Sequence, residues 1–260
     1  IIAMRSEDEM VAYALEAHTA LLPYLPELLL DLQELGSDAE AITRVLHGLN
    51  LQDSATVVDL GCGKGAVAVK VAADLNHRVL GIDLFEPFLE CCKEQAEARC
   101  VSELCHFIHG DILKLAGKIE PRDVAIFAAL GDVLGPLDQA VSKIRQYVRP
   151  GGYMVISDGF IKDGASSNFP GFEQYSQRSD MIARLLACGD TLVSEIIETD
   201  DSKVGGQEEG QMIAARARAI AARQPEIAAE VLKYAEAQVA EYEFMDESFV
   251  GAIWVLNRSN

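Results

Sequence analysis

The sequence predicts an α/β fold: a doubly wound, seven-stranded, mostly parallel sheet with helices on both faces and helical caps added to it. Three observations carry that prediction. Between Ala55 and Gly159, β-branched apolar runs alternate with helical segments of about a dozen residues, the pattern of parallel strands joined by crossover helices. A glycine turn, Gly61-Cys62-Gly63-Lys64-Gly65, joins the first run to the first of those helices. The chain has 260 residues, 50% of them apolar, enough to bury both faces of such a sheet.

The elements follow in order. Ser6 to Leu35 has a helical pattern broken by Pro23 and Pro26, which predicts two helices with a kink between them. Ser37 or Asp38 caps a further helix ending near His47. "ATVVDLG" is a buried strand, "GAVAVKVAADL" a helix and "HRVLGIDL" a second strand. "EPFLECCKEQAEAR" is a helix that tolerates Pro87 in its first turn. "CHFIHGD" and "DVAIFAALGD" are strands, "PLDQAVSKIRQYV" a helix, and "RPGG" turns the chain into a fifth strand, "YMVISDG". The alternation stops after Gly159. A small-residue loop over 162–172 leads to a helix ending near Cys188, and "DTLVSEIIETD" is a strand. "DDSKVGGQEEG" is a flexible loop, 211–243 is helical with a break at Pro225, and "FVGAIWVLNR" is the last strand. The expected organisation is one domain over 1–260. Residues 36–160 and 189–260 form its core with a helical insertion at 205–245, 1–35 form an N-terminal cap, and 161–188 form a lid.

Composition excludes several classes. The net charge of −19 disfavours nucleic acid, whose binding depends on neutralising phosphates. No apolar run of membrane-spanning length occurs, and the first residues lack secretory-signal features, so a cytoplasmic location is the default expectation. Ile1 to Ala3, ahead of Met4, have the look of an appended segment. The six cysteines match no metal-ligand spacing and suggest no disulfide; no metal is expected. Cys92 is in helical step with Phe88 and Ala96 and reads as a core thiol, and Cys62 as a small residue suited to the turn.

The glycine turn leaves three ligands to weigh. A nucleoside triphosphate loop needs Ser or Thr after Gly63-Lys64, where Gly65 stands, so Lys64 is expected to be solvated. A dinucleotide fits the turn and the acid at Asp83, but the spacing is GxGxG, and no Tyr has Lys four residues on. The third reading uses more of the chain. Asp59-Leu-Gly-Cys-Gly-Lys-Gly65, Asp83 closing the second strand, Gly110-Asp111-Ile112 after the third, and Arg149-Pro-Gly-Gly152 before the fifth resemble class I S-adenosylmethionine-dependent methyltransferases, including bacterial members acting on small molecules. The resemblance spans about 45–160, and the last strand fits that family's antiparallel addition to a Rossmann-like sheet.

The resemblance implies S-adenosylmethionine as methyl donor, with S-adenosylhomocysteine as product. Gly61, Cys62 and Gly63 would let the methionine and ribose portions approach the main chain, and Asp59 would attract the ammonium. Asp83 would bind the ribose diol and Leu84 the adenine; Asp111 would take the adenine amino group, with Ile112 on the ring. Ala128, Ala129 and Leu130 would line the methionine side. Asp59 also suits fixing the turn, and Asp111 and Asp132 suit capping helices. Methyl transfer relies on alignment and exclusion of water, with a base only where the acceptor carries a proton. Asp158 and His109 are the candidates. Tyr13, Tyr24, Phe169 and Tyr175, in the cap and lid, are candidate substrate contacts. Arg216 and Arg223 either hold an acidic substrate or are solvated, whereas Ile227, Val231, Tyr234 and Tyr242 recur at packing intervals. Cys91 and Cys92 are expected to face away from the cleft. The partner expected is a small-molecule acceptor, for a monomer or homodimer. The alternatives kept are an NAD(P)-dependent oxidoreductase and a protein that holds S-adenosylmethionine without catalysis.

Overall fold

The computed structural model describes residues 5–198 and 206–260. The first helix, α1 (Glu7–Ala14), opens on a capping box in which the Ser6 side chain and Glu9 satisfy each other's backbone amides. It does not continue into a second long helix. Glu16 takes a left-handed conformation that ends it, and the chain then makes only a 3₁₀ turn (Thr19–Leu21) and a single helical turn, α2 (Leu25–Leu28), with Pro26 inside its start. The two prolines thus fragment the segment rather than kink it. Asp38, not Ser37, caps α3 (Ala39–Gly48), accepting from the Ala41 amide at 2.7 Å.

The alternation then runs as the sequence predicts: β1 (Thr56–Leu60), α4 (Ala66–Leu75), β2 (Arg78–Asp83), α5 (Glu86–Ala98), β3 (Cys105–His109). A short α6 (Ile112–Leu115), which the sequence pattern does not predict, precedes β4 (Arg122–Ala128), α7 (Leu137–Ile144) and β5 (Val148–Ile161). The strand β5 is longer than expected at both ends: 148–152 already lie in it, and it passes through Gly159. That glycine faces Gly251 of the last strand, and a Cβ on it would strike the Phe249 ring, so here glycine admits a neighbour instead of stopping the strand. Next come α8 (Arg178–Leu185) and β6 (Thr191–Ile197). Two helices, α9 (Gln207–Arg223) and α10 (Ala228–Ser248), then lead into β7 (Phe249–Asn257). The helix α9 begins at Gln207, four residues before the expected start, so the last four residues of the expected loop are helical; 199–205 lie outside the described residues.

The seven strands order as β3-β2-β1-β4-β5-β7-β6. The first five are parallel, while β7 is antiparallel to both β5 and β6. One face of the sheet packs on α3 and α4 through Ile42, Val67 and Val71; the other packs on α7 and α8 through Val141, Ile144 and Leu185. A third apolar cluster joins Leu21, Leu25, Leu28, Leu29 and Leu32 of the N-terminal segment to Ile213, Ala217 and Ile220 of α9 and to Val231 and Tyr234 of α10. Burial of this apolar surface is what fixes the caps beside the sheet. No helix among the described residues is long and apolar enough to cross a membrane.

Candidate functional site

The strand order reverses between β1 and β4, and there the glycine turn stands at the carboxyl end of β1, where open parallel sheets place ligands. The amides of Gly61 and Cys62 both donate to the Ile82 carbonyl, at 2.7 and 3.0 Å, tying the turn to β2. Gly61, Gly63 and Gly65 all have positive φ (71°, 51° and 85°), a run that side-chain-bearing residues adopt only at a cost. A Cβ on Gly65 would stand 2.9 Å from Cys92 Sγ. The Cys92 thiol donates to the Gly63 carbonyl at 3.2 Å, and Cys62 packs beside it. Cys92 therefore supports the turn from beneath, buried between α5 and the turn. It is buried in step with Phe88 and Ala96, as expected, and all six cysteines are free thiols. Contact with Cys92 and burial push the Cys62 thiol up, which favours its protonated form. Among the described residues no cluster of metal-ligating side chains occurs.

Two carboxylates meet beneath the turn. Asp59 is 2% exposed, and burial, reinforced by the charge of Asp83, pushes its pKa up to about 7. Its Oδ2 has no hydrogen-bond partner. Asp83 Oδ2 accepts from the Gly63 amide and its Oδ1 from the Phe85 amide, both at 2.8 Å, while burial raises its pKa. A carboxylate held by two amides has its direction fixed and keeps further lone pairs for a ligand's hydroxyls. Asp111 caps α6 through the Leu113 amide at 2.8 Å, so its capping role is real, and its Oδ2 lies 3.8 Å from Lys114 Nζ. Leu84, Asp111 and Ile112 follow the ends of β2 and β3. His109 pairs with Asp83 across those strands, and its Nε2 sits 2.9 Å from the Leu84 carbonyl.

Beyond β4, Ala128 pairs with Ser157, and Ala129, at φ 52°, donates to the Ser157 carbonyl at 2.9 Å. This bend lays the Leu130 side chain against Gly61, where a Cβ would not fit. Asp132 caps no helix: both its oxygens accept from the Tyr13 hydroxyl, at 2.6 and 2.7 Å, while the Arg5 guanidinium lies 3.9 Å over the Tyr13 ring. Asp158, near the end of β5, accepts from the Tyr175 hydroxyl, and burial pushes its pKa up to about 7. Tyr175 OH lies 3.8 Å from the position a Cβ would take on Gly131. Phe169 is stacked on Phe244 at 4.8 Å, and Phe172 joins Phe169, Tyr175, Phe244 and Phe249 in one aromatic cluster. Tyr24 packs with the cap and with α9–α10, among the same apolar residues that hold Val231 and Tyr234. His109 and Asp158 do not meet. Three strands separate β3 from β5, a span of about 19 Å at the usual 4.8 Å strand spacing.

Three cations differ from expectation. Lys64 is not solvated: it is 7% exposed, and its ammonium donates to the carbonyls of Leu29 and, at 2.8 Å, Leu32. Arg216 and Arg223 neither stand in solvent alone nor await a ligand. Arg216 grips Asp31 with two bonds (2.7 and 2.6 Å), and Arg223 pairs with Glu27. Each partner is more than 30 residues away in the chain, so no local spacing announces these contacts. Leu35 Cδ1 lies 3.4 Å from where a Cβ on Gly63 would stand, and Ala129 Cβ lies 3.2 Å from where one on Gly36 would stand.

Comparison with known proteins matches residues 57–152 to a methyltransferase-domain family. Protein YjhP of Escherichia coli (strain K12) is 28% identical over 149 residues, covering 57% of this chain and 54% of that one. A tRNA 5-carboxymethoxyuridine methyltransferase of the same strain is 31% identical over 99 residues, 38% of each chain. The chain thus spans about half or less of the length of the curated relatives it matches. A SAM-dependent methyltransferase from Geobacter sulfurreducens, crystallised with S-adenosyl-L-homocysteine, shares the fold at a TM-score of 0.76 and 19% identity, over 91% of this chain and 98% of that one.

Proposed function

We propose that this chain, whose residues 57–152 match a methyltransferase-domain family, is a class I S-adenosylmethionine-dependent methyltransferase that transfers the donor's methyl group to a small-molecule acceptor. The observation that carries the reading is the pairing of a glycine turn with two differently prepared carboxylates. Asp83 is oriented by the Gly63 and Phe85 amides, as a ribose diol requires, and Asp59 offers a buried oxygen without a partner, as an ammonium requires. Gly61, Cys62 and Gly63 supply main chain for close approach; Leu84, Asp111 and Ile112 take the adenine; Ala128, Ala129 and Leu130 take the methionine side. When bound, S-adenosylmethionine supplies a methyl on a sulfonium whose departure needs no proton. The chain's own work is then to align the acceptor, exclude water and accept any proton it loses.

Asp158 suits the last task. It stands at the end of β5 beside Ala128–Leu130, and the bond from Tyr175 fixes its orientation. His109 sits at the adenosine side and is engaged by Leu84, so Asp158 is the base of the two. Residues 36–160 and 189–260 act as the donor-binding core. The cap (1–35), the lid (161–188) and the insertion (205–245) then shape the acceptor side, with Tyr13, Tyr24, Phe169 and Tyr175 as candidate contacts. A tRNA acceptor, such as one matching relative's name describes, is disfavoured by the net charge of −19. We take the chain to work in the cytoplasm, as a monomer or homodimer.

Calorimetric titration with S-adenosylhomocysteine, followed by a labelled-methyl screen over metabolites, tests this. The parent binds, Asp83→Ala loses binding, and Asp158→Asn binds normally but loses turnover on the acceptor found. Unchanged affinity in Asp83→Ala together with binding of NADH would replace the reading with an oxidoreductase. Binding without turnover on any acceptor would leave a donor-holding protein.

A further inference from the structure

The segment 27–36 crosses the glycine turn with anchors on both sides. From below, the Lys64 ammonium binds the carbonyls of Leu29 and Leu32, and Gln95 fixes the Lys64 backbone by donating to its carbonyl at 2.9 Å. From above, α9 holds the same segment through Arg216–Asp31 and Arg223–Glu27. Leu29 and Leu32 point into the apolar cluster shared with α9 and α10. Leu35 is thereby set on the face of Gly63, and Gly36, at φ 78°, is set against Ala129. A buried lysine in the glycine turn whose ammonium binds two carbonyls of another segment is using its charge on that segment.

Resting on the reading that this turn seats S-adenosylmethionine, we propose that Lys64 is a positioning residue for the methyl donor. It straps segment 27–36 across the turn so that Leu35 roofs the donor, and release of the strap is the donor's exit route. Lys64 never touches the donor; its two bonds to main-chain carbonyls set how long the donor stays. The ion pairs from α9 hold the strap's other side, which makes the helical insertion part of the same device.

The test compares the parent, Lys64→Met and the double variant Arg216→Gln/Arg223→Gln by hydrogen exchange and by the dissociation rate of S-adenosylhomocysteine. Loss of a charged hydrogen-bond pair predicts exchange over 27–36 and ligand dissociation each faster by about tenfold in Lys64→Met, with β1, β4 and β5 unchanged. The double variant, altered only at half-exposed side chains, moves both in the same direction by less. Unchanged exchange over 27–36 overturns the strap. Faster exchange with an unchanged dissociation rate overturns the positioning role, and so does a rise spread evenly over the sheet. Should Lys64→Met not fold, the double variant and the parent still decide: absence of ligand-induced protection over 27–36 in the parent overturns the proposal. A parent that does not bind S-adenosylhomocysteine overturns the proposed function and this inference together. A parent that binds, with indifferent variants, overturns the inference alone.

Discussion

Asp59 is a carboxyl group whose surroundings disfavour its charged form. Burial and the neighbouring Asp83 push its pKa up to about 7, and Oδ2 lacks a donor. A ligand ammonium beside it reverses that balance by favouring the charged form. Binding of S-adenosylhomocysteine should therefore release a proton below pH 7 and tighten as pH rises from about 5.5 to 7.5, by up to about tenfold per unit of pH. In Asp59→Asn the affinity should be weaker and its pH dependence flatter, as read by titration at several pH values in two buffers. A pH-independent affinity in the parent would remove Asp59 from contact with the ammonium. Asp59, Asp83 and the three glycines stand out in the sequence because the residues that hold them together lie within one strand-turn-helix-strand unit. Lys64, Arg216 and Arg223 could not. Each is defined by a partner brought in by the N-terminal segment, and nothing in "GCGKG" distinguishes a lysine bound for solvent from one bound for a buried carbonyl.

At the level of elements, periodicity revealed the long helices and the strands, and missed single-turn helices, which are too short to show a period. The helix α6 is four residues long and contains no fully buried residue, and α2 is a single turn after a proline. The extension of β5 was hidden because Gly159 reads as a stop until Phe249, nearly a hundred residues later, is seen to need its missing Cβ. That extension matters, since it places Asp158 inside the strand instead of at its end and leads into the loop that follows Ile161. The loop after β5 is held by aromatic packing: Phe172 is 5% exposed, with ring centroids 4.9 Å from Phe244 and 5.4 Å from Phe249. Phe172→Ala should cost about 3 kcal/mol of stability, and cleavage by a dilute protease should begin within 162–177. Because Tyr175 is in that cluster and donates to Asp158, the same variant should lower turnover more than it weakens S-adenosylhomocysteine binding. Equal stability and an uncleaved lid would mean that the loop is fixed by something other than these rings.

The whole molecule combines a large negative charge with several carboxyl groups that fold into places where ionisation is disfavoured. Asp59 and Asp158 are pushed up to about 7 by burial. Glu241 is pushed up to about 9 by burial and by Glu16 beside it. All three have folded pKa values above their unfolded ones, so between about pH 4 and 7 the native chain holds more protons than the unfolded chain. Stability from these groups is complete below the unfolded carboxyl range and is lost as pH rises through 7 and, for Glu241, through 9. Carboxylates of the opposite kind, such as Asp31 against Arg216 and Glu195 against Arg178, have lowered pKa values and lose their contribution only as pH falls below the ordinary carboxyl range. The protein without ligand should therefore be most stable near pH 5, not at neutrality, and self-repulsion at −19 works in the same direction. Each excess proton held by the folded chain is worth roughly 1.4 kcal/mol per pH unit, or about 3–5 °C of the thermal midpoint, so the midpoint should fall most steeply between pH 5 and pH 7, where all three groups contribute, and by about 3–5 °C from pH 7 to pH 8, where Glu241 alone does. S-adenosylhomocysteine should reduce the fall by stabilising ionised Asp59, and Asp59→Asn should remove part of it without ligand. A midpoint that rises steadily from pH 5 to pH 8 would show that these carboxyl groups are paired or solvated in solution, and would withdraw Asp158 as a base poised near neutrality.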